Sequence, residues 1–454
     1  MNSFDQFLTD RRFRSSMQTS EDQRNPFEND FSRVVFSSSF RRLQDKTQVF
    51  QLDKGDFVRT RLTHSIEVSS LGRSIGLSVE NRLIDAGILS PEKRGHIPSI
   101  LATAGLVHDI GNPPFGHFGE WAIQDYFRRF FRTNFTCADA LTPAQQHDFI
   151  YFDGNVQTFR VLRKLHYIKD SEGMNLTFAV LATIVKYPCS SLEGNTSEGG
   201  ILRKKFGYFQ SEAADYADIA REFSLSGRYP LTFLLEAADD IAYSIADIED
   251  ACKKGLIGYM EIRTFLEEGL QPISLSEQER DADFITLFTD LYNDVAQSYK
   301  NKLELAVQRF RIVVQRFMIS AAVDTFYAHI DEICAGTYNK DLLENSWASN
   351  IRRVFKDLGQ HIFAHKTIIE KEVVGFNIIH YLLDEFVEAV SSDELQKNPK
   401  QPRLYNMISS NYRFIYEHFS DHSLYSRLQL AVDYISGMTD NFALKRYRIF
   451  RGIE

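Results

Sequence analysis

The chain has 454 residues, 43% of them apolar and 25% charged, and its 52 Lys+Arg against 61 Asp+Glu leave a formal charge of −9. With 37 Phe, 20 Tyr and 2 Trp it carries far more burial potential than a disordered chain, and its length allows about three domains or one large elaborated one. The acidic balance argues against coating nucleic acid or an anionic membrane through net charge, and leaves a locally basic cleft open. Only 24 Gly and 11 Pro interrupt the chain, below average usage, so long elements and a mostly helical fold are expected. Cys137, Cys189, Cys252 and Cys334 lie far apart without metal or redox spacing, which points away from a disulfide framework and toward a reducing cytoplasm. The N-terminus lacks the apolar stretch of a signal peptide and no apolar run approaches the roughly 18 residues of a membrane span, so a cytoplasmic protein without a membrane partner is expected.

In chain order, residues 1–30 are polar and of mixed charge and read as an arm or short helix outside the core. Arg59 to Arg82 is helical, with His64, Val68, Leu71, Ile75 and Val79 on one stripe. Ile97 to Ile110 is a buried helix carrying Leu101, Ala104, Gly105 and His108, stopped by Gly111-Asn112-Pro113-Pro114. A helix restarts over Glu120 to Arg132, and Thr133 to Asp148 reads as a connection. Leu176 to Lys186 is another buried helix, ending before Pro188 and followed by a Gly/Ser-rich loop from Ser190 to Gly200. The clearest helix runs from Pro230 to Lys254, with proline at its start, Lys253 and Lys254 in its last turn and Gly255 as its stop. Residues 257–390 read as several amphipathic helices, Ser391 to Pro402 as a polar linker, and Tyr412 to Arg451 as helical again. These elements divide the chain into an arm (1–30), a core (31–256) and a helical C-terminal region (257–454) packed on that core.

His64, His108 and Asp109 are nitrogen and oxygen donors on helices whose other inward residues are apolar, where a carboxylate needs a partner. A divalent metal is one such partner. On the 230–254 helix, Asp239, Tyr243 and Asp247 stack at i, i+4 and i+8 on the face that carries Leu235, Ala242 and Ala246. Two imidazoles and two carboxylates without a thiolate suit Mn²⁺, Mg²⁺ or another first-row ion. Taken singly, each has a plain alternative: His64 as a hydrogen-bonded core residue, His108-Asp109 as a capping pair, Asp239 and Asp240 as a buried ion-pair member and a surface carboxylate. Their joint occurrence with HDIGNPPFGHFGE, His108 to Glu120, favours chemistry. That segment sets His117 and Glu120 three residues apart at the head of a helix, where a carboxylate can orient an imidazole for proton transfer; helix capping by Glu120 is the alternative.

The strings RTRLTHSIEV, GLVHDIGNPPFGHFGE, LLEAADDIAYSIADIEDA and DYISGMTD resemble the deoxyguanosine triphosphate triphosphohydrolase family, a branch of the HD-domain metallophosphohydrolases, over about Phe27 to Phe450. The resemblance implies an all-helical HD-domain fold and one-step cleavage of a dNTP, dGTP foremost, to deoxynucleoside and inorganic triphosphate. It implies metal ligands at His64, His108, Asp109 and Asp239 and a catalytic dyad at His117 and Glu120. Arg61, Lys186 and Lys205 fall at triphosphate-binding positions, with Lys204 an alternative to Lys205, and Asn155 at a polar position near the phosphates. Gln48 and Val49 match a strip contacting sugar and base, Tyr243 and Asp247 a sugar pocket, and Glu372 a base-recognition carboxylate. By the same resemblance Tyr243 leaves no room for a ribose 2′-hydroxyl and Asp247 accepts from the 3′-hydroxyl. Homo-oligomers, hexamers above all, and a regulatory nucleotide or single-stranded DNA as partners are further implications. Another HD nucleotide phosphohydrolase, or an oligomeric nucleotide or single-stranded nucleic-acid binder without turnover, are the rival readings.

Overall fold

A computed structural model describes residues 4–15, 22–52, 55, 57–166, 170–198, 200–270, 275–391 and 398–453. Among these the fold is all-α, and the one β-bridge pairs Thr47 with Thr60. The first long helix, Arg61–Asp85, starts where Thr60 and Thr63 satisfy each other's orphan N–H groups. It packs against His96–Val107 and Pro230–Lys253, and the three helices form the centre of the molecule.

Their contact is closer than side chains usually permit. A Cβ on Gly105 would lie 2.7 Å from the Ser69 Cα, and one on Gly76 would lie 2.8 Å from the Pro98 Cα. Glycine at these faces lets the helix backbones approach, bringing His64, near the start of one helix, beside His108, which caps the other. The expected stripe faces inward: His64, Val68, Ile75 and Val79 are buried, and Leu71, at its edge, is partly buried against the core. The Pro230–Lys253 helix begins at its proline and stops before Gly255, whose φ of +65° suits glycine.

Lys302–Ala328 packs on Pro230–Lys253, while Lys366–Ser391 lies along Gly116–Thr133 and also contacts Leu424–Ser436 and Asp440–Arg451. One apolar core runs through all of them. That continuity corrects the reading of residues 1–30 as an arm outside the core. Phe4, Phe7 and Leu8 are fully buried, Phe4 meets Phe326 edge-on at 6.4 Å, and Tyr229 donates its hydroxyl proton to the Phe7 carbonyl. The segment is polar on average, but Phe4, Phe7 and Leu8, in and beside a short 3-10 turn, Asp5–Phe7, and Phe27 further on are buried and pull it in. The Thr133 to Asp148 connection likewise contains two short helices, Phe135–Asp139 and Pro143–Ile150. In the Ser391 to Pro402 linker, 392–397 lie outside the described residues, and Lys400–Met407 is helical. No helix of the described residues is long and apolar enough to cross a membrane.

Candidate active site

The centre is built on the close helix contact. One donor atom each from His64, His108 and Asp109 lies within 4.8 Å of the others, and the two imidazoles meet edge-on with centroids 5.2 Å apart. Asp239, from the long helix, completes the group: its Oδ1 is 3.2 Å from the His64 Nε2 and 3.4 Å from the His108 Nε2. The His108 Nδ1 lies 2.8 Å from the Gly105 carbonyl, so it carries the ring proton and turns Nε2 toward the carboxylates. That Nε2 is buried and has no hydrogen-bond partner. An imidazole nitrogen facing two carboxylates, 3.4 Å from the Asp239 Oδ1 and 3.5 Å from the Asp109 Oδ1, without a well-formed hydrogen bond to either, is what a ligand set presents, and this all-N/O set could hold a divalent ion.

The charges around the cluster favour its ionised carboxylates. Burial works against the Asp109 carboxylate, yet Arg61, with His108 and His64, holds its pKa well below the usual carboxylate range. Burial likewise opposes the charge on Asp239, and Lys186 foremost outweighs it. The Arg61 Nη1 donates to the Asp109 Oδ2 at 2.6 Å, and the Asn112 Nδ2 donates to Oδ1 at 2.6 Å. The Lys186 ammonium is 3.2 Å from the Asp239 Oδ2.

The segment after His108 turns back on itself. Phe115 adopts the left-handed conformation (φ +64°) at the head of Gly116–Thr133, which places His117 in that helix's first turn and Glu120 at the start of the next, on the same face. The His117 Nδ1 is 2.9 Å from the Glu120 Oε2, while Glu120 Oε1 accepts from the Gly154 N–H at 2.7 Å. Glu120 is therefore anchored and holds His117, whose side chain is 78% exposed. The charge of Glu120 raises the His117 pKa above the ordinary imidazole value. Arg61 joins dyad to cluster: a Cβ on Gly116 would lie 2.9 Å from its Nη2.

Lys205 pairs with Asp153, the N-cap of Gly154–Arg160, and Asn155 donates to the same carboxylate at 2.8 Å. Lys204 is exposed and lines a separate open hollow of about 460 Å³ with Asn339 and Asp341, whereas Lys205 sits on Asp153, beside the Gly154 that bonds Glu120. Tyr243 stacks on Phe363 at 6.1 Å. One turn on, Asp247 is buried with Oδ2 unpartnered, and burial, with Asp250 adding repulsion, raises its pKa well above the carboxylate range. Gln48 has a buried, unpartnered Oε1 and Val49 packs on the core beside it. Glu372 is half-buried; burial raises its pKa and the charge of His117 partly offsets this, so the two lie within electrostatic reach.

Sequence reasoning missed Asn112, Asp153, Phe363 and Lys46. Asp153 had a readable signal, an Asp before Gly-Asn at a helix start. Lys46 had none: its ammonium donates to the carbonyls of Asn112 and Ser436, and burial, with Arg61 adding repulsion, pushes its pKa down to about 7.

Residues 61–143 match the HD domain family and residues 348–449 the phosphohydrolase-associated domain. The helical fold and its His-His-Asp centre thus define an HD-domain phosphohydrolase. Among curated relatives, the deoxyguanosinetriphosphate triphosphohydrolase-like protein of Listeria monocytogenes serovar 1/2a is 40% identical across 99% of this chain and 100% of its own length. The protein of the same description from Synechocystis sp. is 34% identical across 95% of each chain. The chain belongs to this deoxyguanosinetriphosphate triphosphohydrolase-like family.

Proposed function

We propose that the protein is a metal-dependent dNTP triphosphohydrolase, with dGTP its leading substrate, releasing deoxynucleoside and inorganic triphosphate. The observation that carries the reading is the bare His108 Nε2 in a four-donor cluster joined through Arg61 to the His117–Glu120 dyad. His64, His108, Asp109 and Asp239 would hold a divalent ion, which would supply Lewis-acid charge for the phosphoryl group. Arg61 adds a fixed guanidinium on the same side. Lys186 and Lys205 each give one carboxylate a single N–H, which leaves two donors apiece for the β and γ phosphates. Asn155 stands beside Lys205 on the shared Asp153 carboxylate.

Glu120 holds the His117 Nδ1, so Nε2 is the atom that exchanges a proton with the attacking water or the departing 5′ oxygen. Tyr243, braced by Phe363, closes the space a 2′-hydroxyl needs, and the unpaired Asp247 Oδ2 accepts from the 3′-hydroxyl. Gln48, Val49 and Glu372 line the sugar and base end.

The test is chromatographic analysis of each dNTP, singly and in pairs, with Mg²⁺ or Mn²⁺. Inorganic triphosphate and deoxynucleoside are expected; orthophosphate or pyrophosphate places the chain among other HD phosphohydrolases, and no product from any dNTP favours a binding protein. Pairs report a regulatory nucleotide, light scattering with and without single-stranded DNA reports the expected homo-oligomer and that partner, and Mn²⁺ at about 100 times its Kd raises stability by about 2.7 kcal/mol in the native chain and not in Asp109→Asn.

A further inference from the structure

The motif DYISGMTD, Asp433 to Asp440, supplies none of the groups assigned above to substrate or metal. Its last residue nevertheless reaches both halves of the site. Asp440 opens the Asp440–Arg451 helix and is 2% exposed. Its Oδ1 accepts from the Phe115 N–H at 3.0 Å, and its Oδ2 accepts from the Thr47 N–H at 3.1 Å and the Thr47 hydroxyl at 2.5 Å. Phe115 is the left-handed residue that heads the His117–Glu120 turn, and Thr47 immediately precedes Gln48 and Val49.

The surrounding bonds run the same way. The Phe115 carbonyl accepts from the Gln51 Nε2 at 3.0 Å. Lys46 spans the carbonyls of Asn112 and Ser436, and its own carbonyl accepts from the Arg61 N–H at 2.9 Å. The Phe115 ring is buried against Gly375, where a Cβ would lie 2.5 Å from its Cγ. A bulky residue persists in the left-handed region only when its surroundings over-determine it. Here both its N–H and its C=O are held from outside the turn, and one carboxylate is shared with the strip at Gln48. A shared acceptor fixes distance as well as orientation, because moving either element breaks a charge-assisted bond in a buried place.

We propose that Asp440 is a positioning residue that sets the His117 turn in register with the Gln48–Val49 strip, holding the first through the Phe115 N–H and the second through Thr47. The proposal rests on the functional reading above for its kinetic consequences and on geometry alone for its structural ones. An element more than 300 residues downstream thereby determines where the proton-transferring imidazole stands relative to the sugar and base.

Three variants test it, read by steady-state kinetics with dGTP and by hydrogen exchange of the segments around Phe115 and Thr47. Thr47→Val removes only the hydroxyl bond, and KM rises about fivefold while kcat stays within about twofold. Asp440→Asn keeps shape and one acceptor, so it loses less than Asp440→Ala, in which kcat falls about 100-fold and KM rises as well. Exchange rises about tenfold at both segments in Asp440→Ala, with the middle of the Arg61–Asp85 helix unchanged. Exchange that stays native-like at either segment, in Asp440→Ala or in Asp440→Asn should the alanine variant not fold, overturns the proposal. So does a kcat for a folded Asp440→Ala within about threefold of native. If the native protein hydrolyses no dNTP, the functional reading fails, and the exchange contrast decides the proposal by itself.

Discussion

At the scale of single residues the site is organised by which polar atoms are left without partners. The His108 Nε2 and the Asp247 Oδ2 are both buried and unpaired, and each would cost the fold stability unless a ligand completes it. Tyr243 lies between Asp239, which faces the two imidazoles, and Asp247 along one helix face, so its truncation tests sugar selection without removing a charge. In Tyr243→Ala the ratio of kcat/KM for dGTP to that for GTP falls about tenfold or more, measured by product release; an unchanged ratio removes the tyrosine from selection. The His117–Glu120 pair carries a pH prediction. The Glu120 charge raises the His117 pKa above its ordinary value of 6.5, so the ring keeps its proton to higher pH than a free histidine. The pair's contribution to stability is present below the unfolded-state value and lost as pH rises through the folded one. In Glu120→Gln the imidazole titration followed by NMR moves to lower pH, and with it the limb of the rate profile that His117 governs.

At the scale of elements, the metal cluster depends on two helices being closer than ordinary side chains allow. Gly105 meets the Ser69 backbone, and a methyl there has no flexible side chain to displace. Gly105→Ala should cost about 1–3 kcal/mol in urea unfolding. Because the same shift parts His108 from His64, Mn²⁺ binding measured by calorimetry should weaken in the same variant. The legibility of these elements in sequence was uneven. The Pro230–Lys253 helix was readable because proline, lysines and glycine mark its ends locally. The Gly116–Thr133 helix starts four residues before the expected Glu120, since its cap is a left-handed phenylalanine that no capping rule anticipates.

Across the whole molecule, long-range ion pairs tie the C-terminal region to the site. The Arg160 guanidinium, at the end of the Gly154–Arg160 helix, bonds both oxygens of Asp433 and also Glu212. Asp433→Ala leaves the Arg160 charge buried with one partner fewer, and unfolding should be easier by about 3–5 kcal/mol, read from urea midpoints at constant slope. Since the other end of that helix donates the Gly154 N–H to Glu120, the same variant should also lower kcat more than it raises KM.

What the sequence by itself determined is what has a short period or a local stop: the all-α fold, the inward stripe that carries His64, the helix that presents Asp239, Tyr243 and Asp247 in file, and the spacing of His117 and Glu120. Each depends on helical geometry within a few turns, which residue type and spacing encode. Only the tertiary structure decided that Phe4, Phe7 and Leu8 belong to the core, that Lys205 pairs with Asp153 near the His117–Glu120 pair while Lys204 faces elsewhere, and that Asp440 reaches Phe115 and Thr47. Those outcomes depend on which surfaces meet across hundreds of residues, and no local pattern records which carboxylate a distant N–H will find.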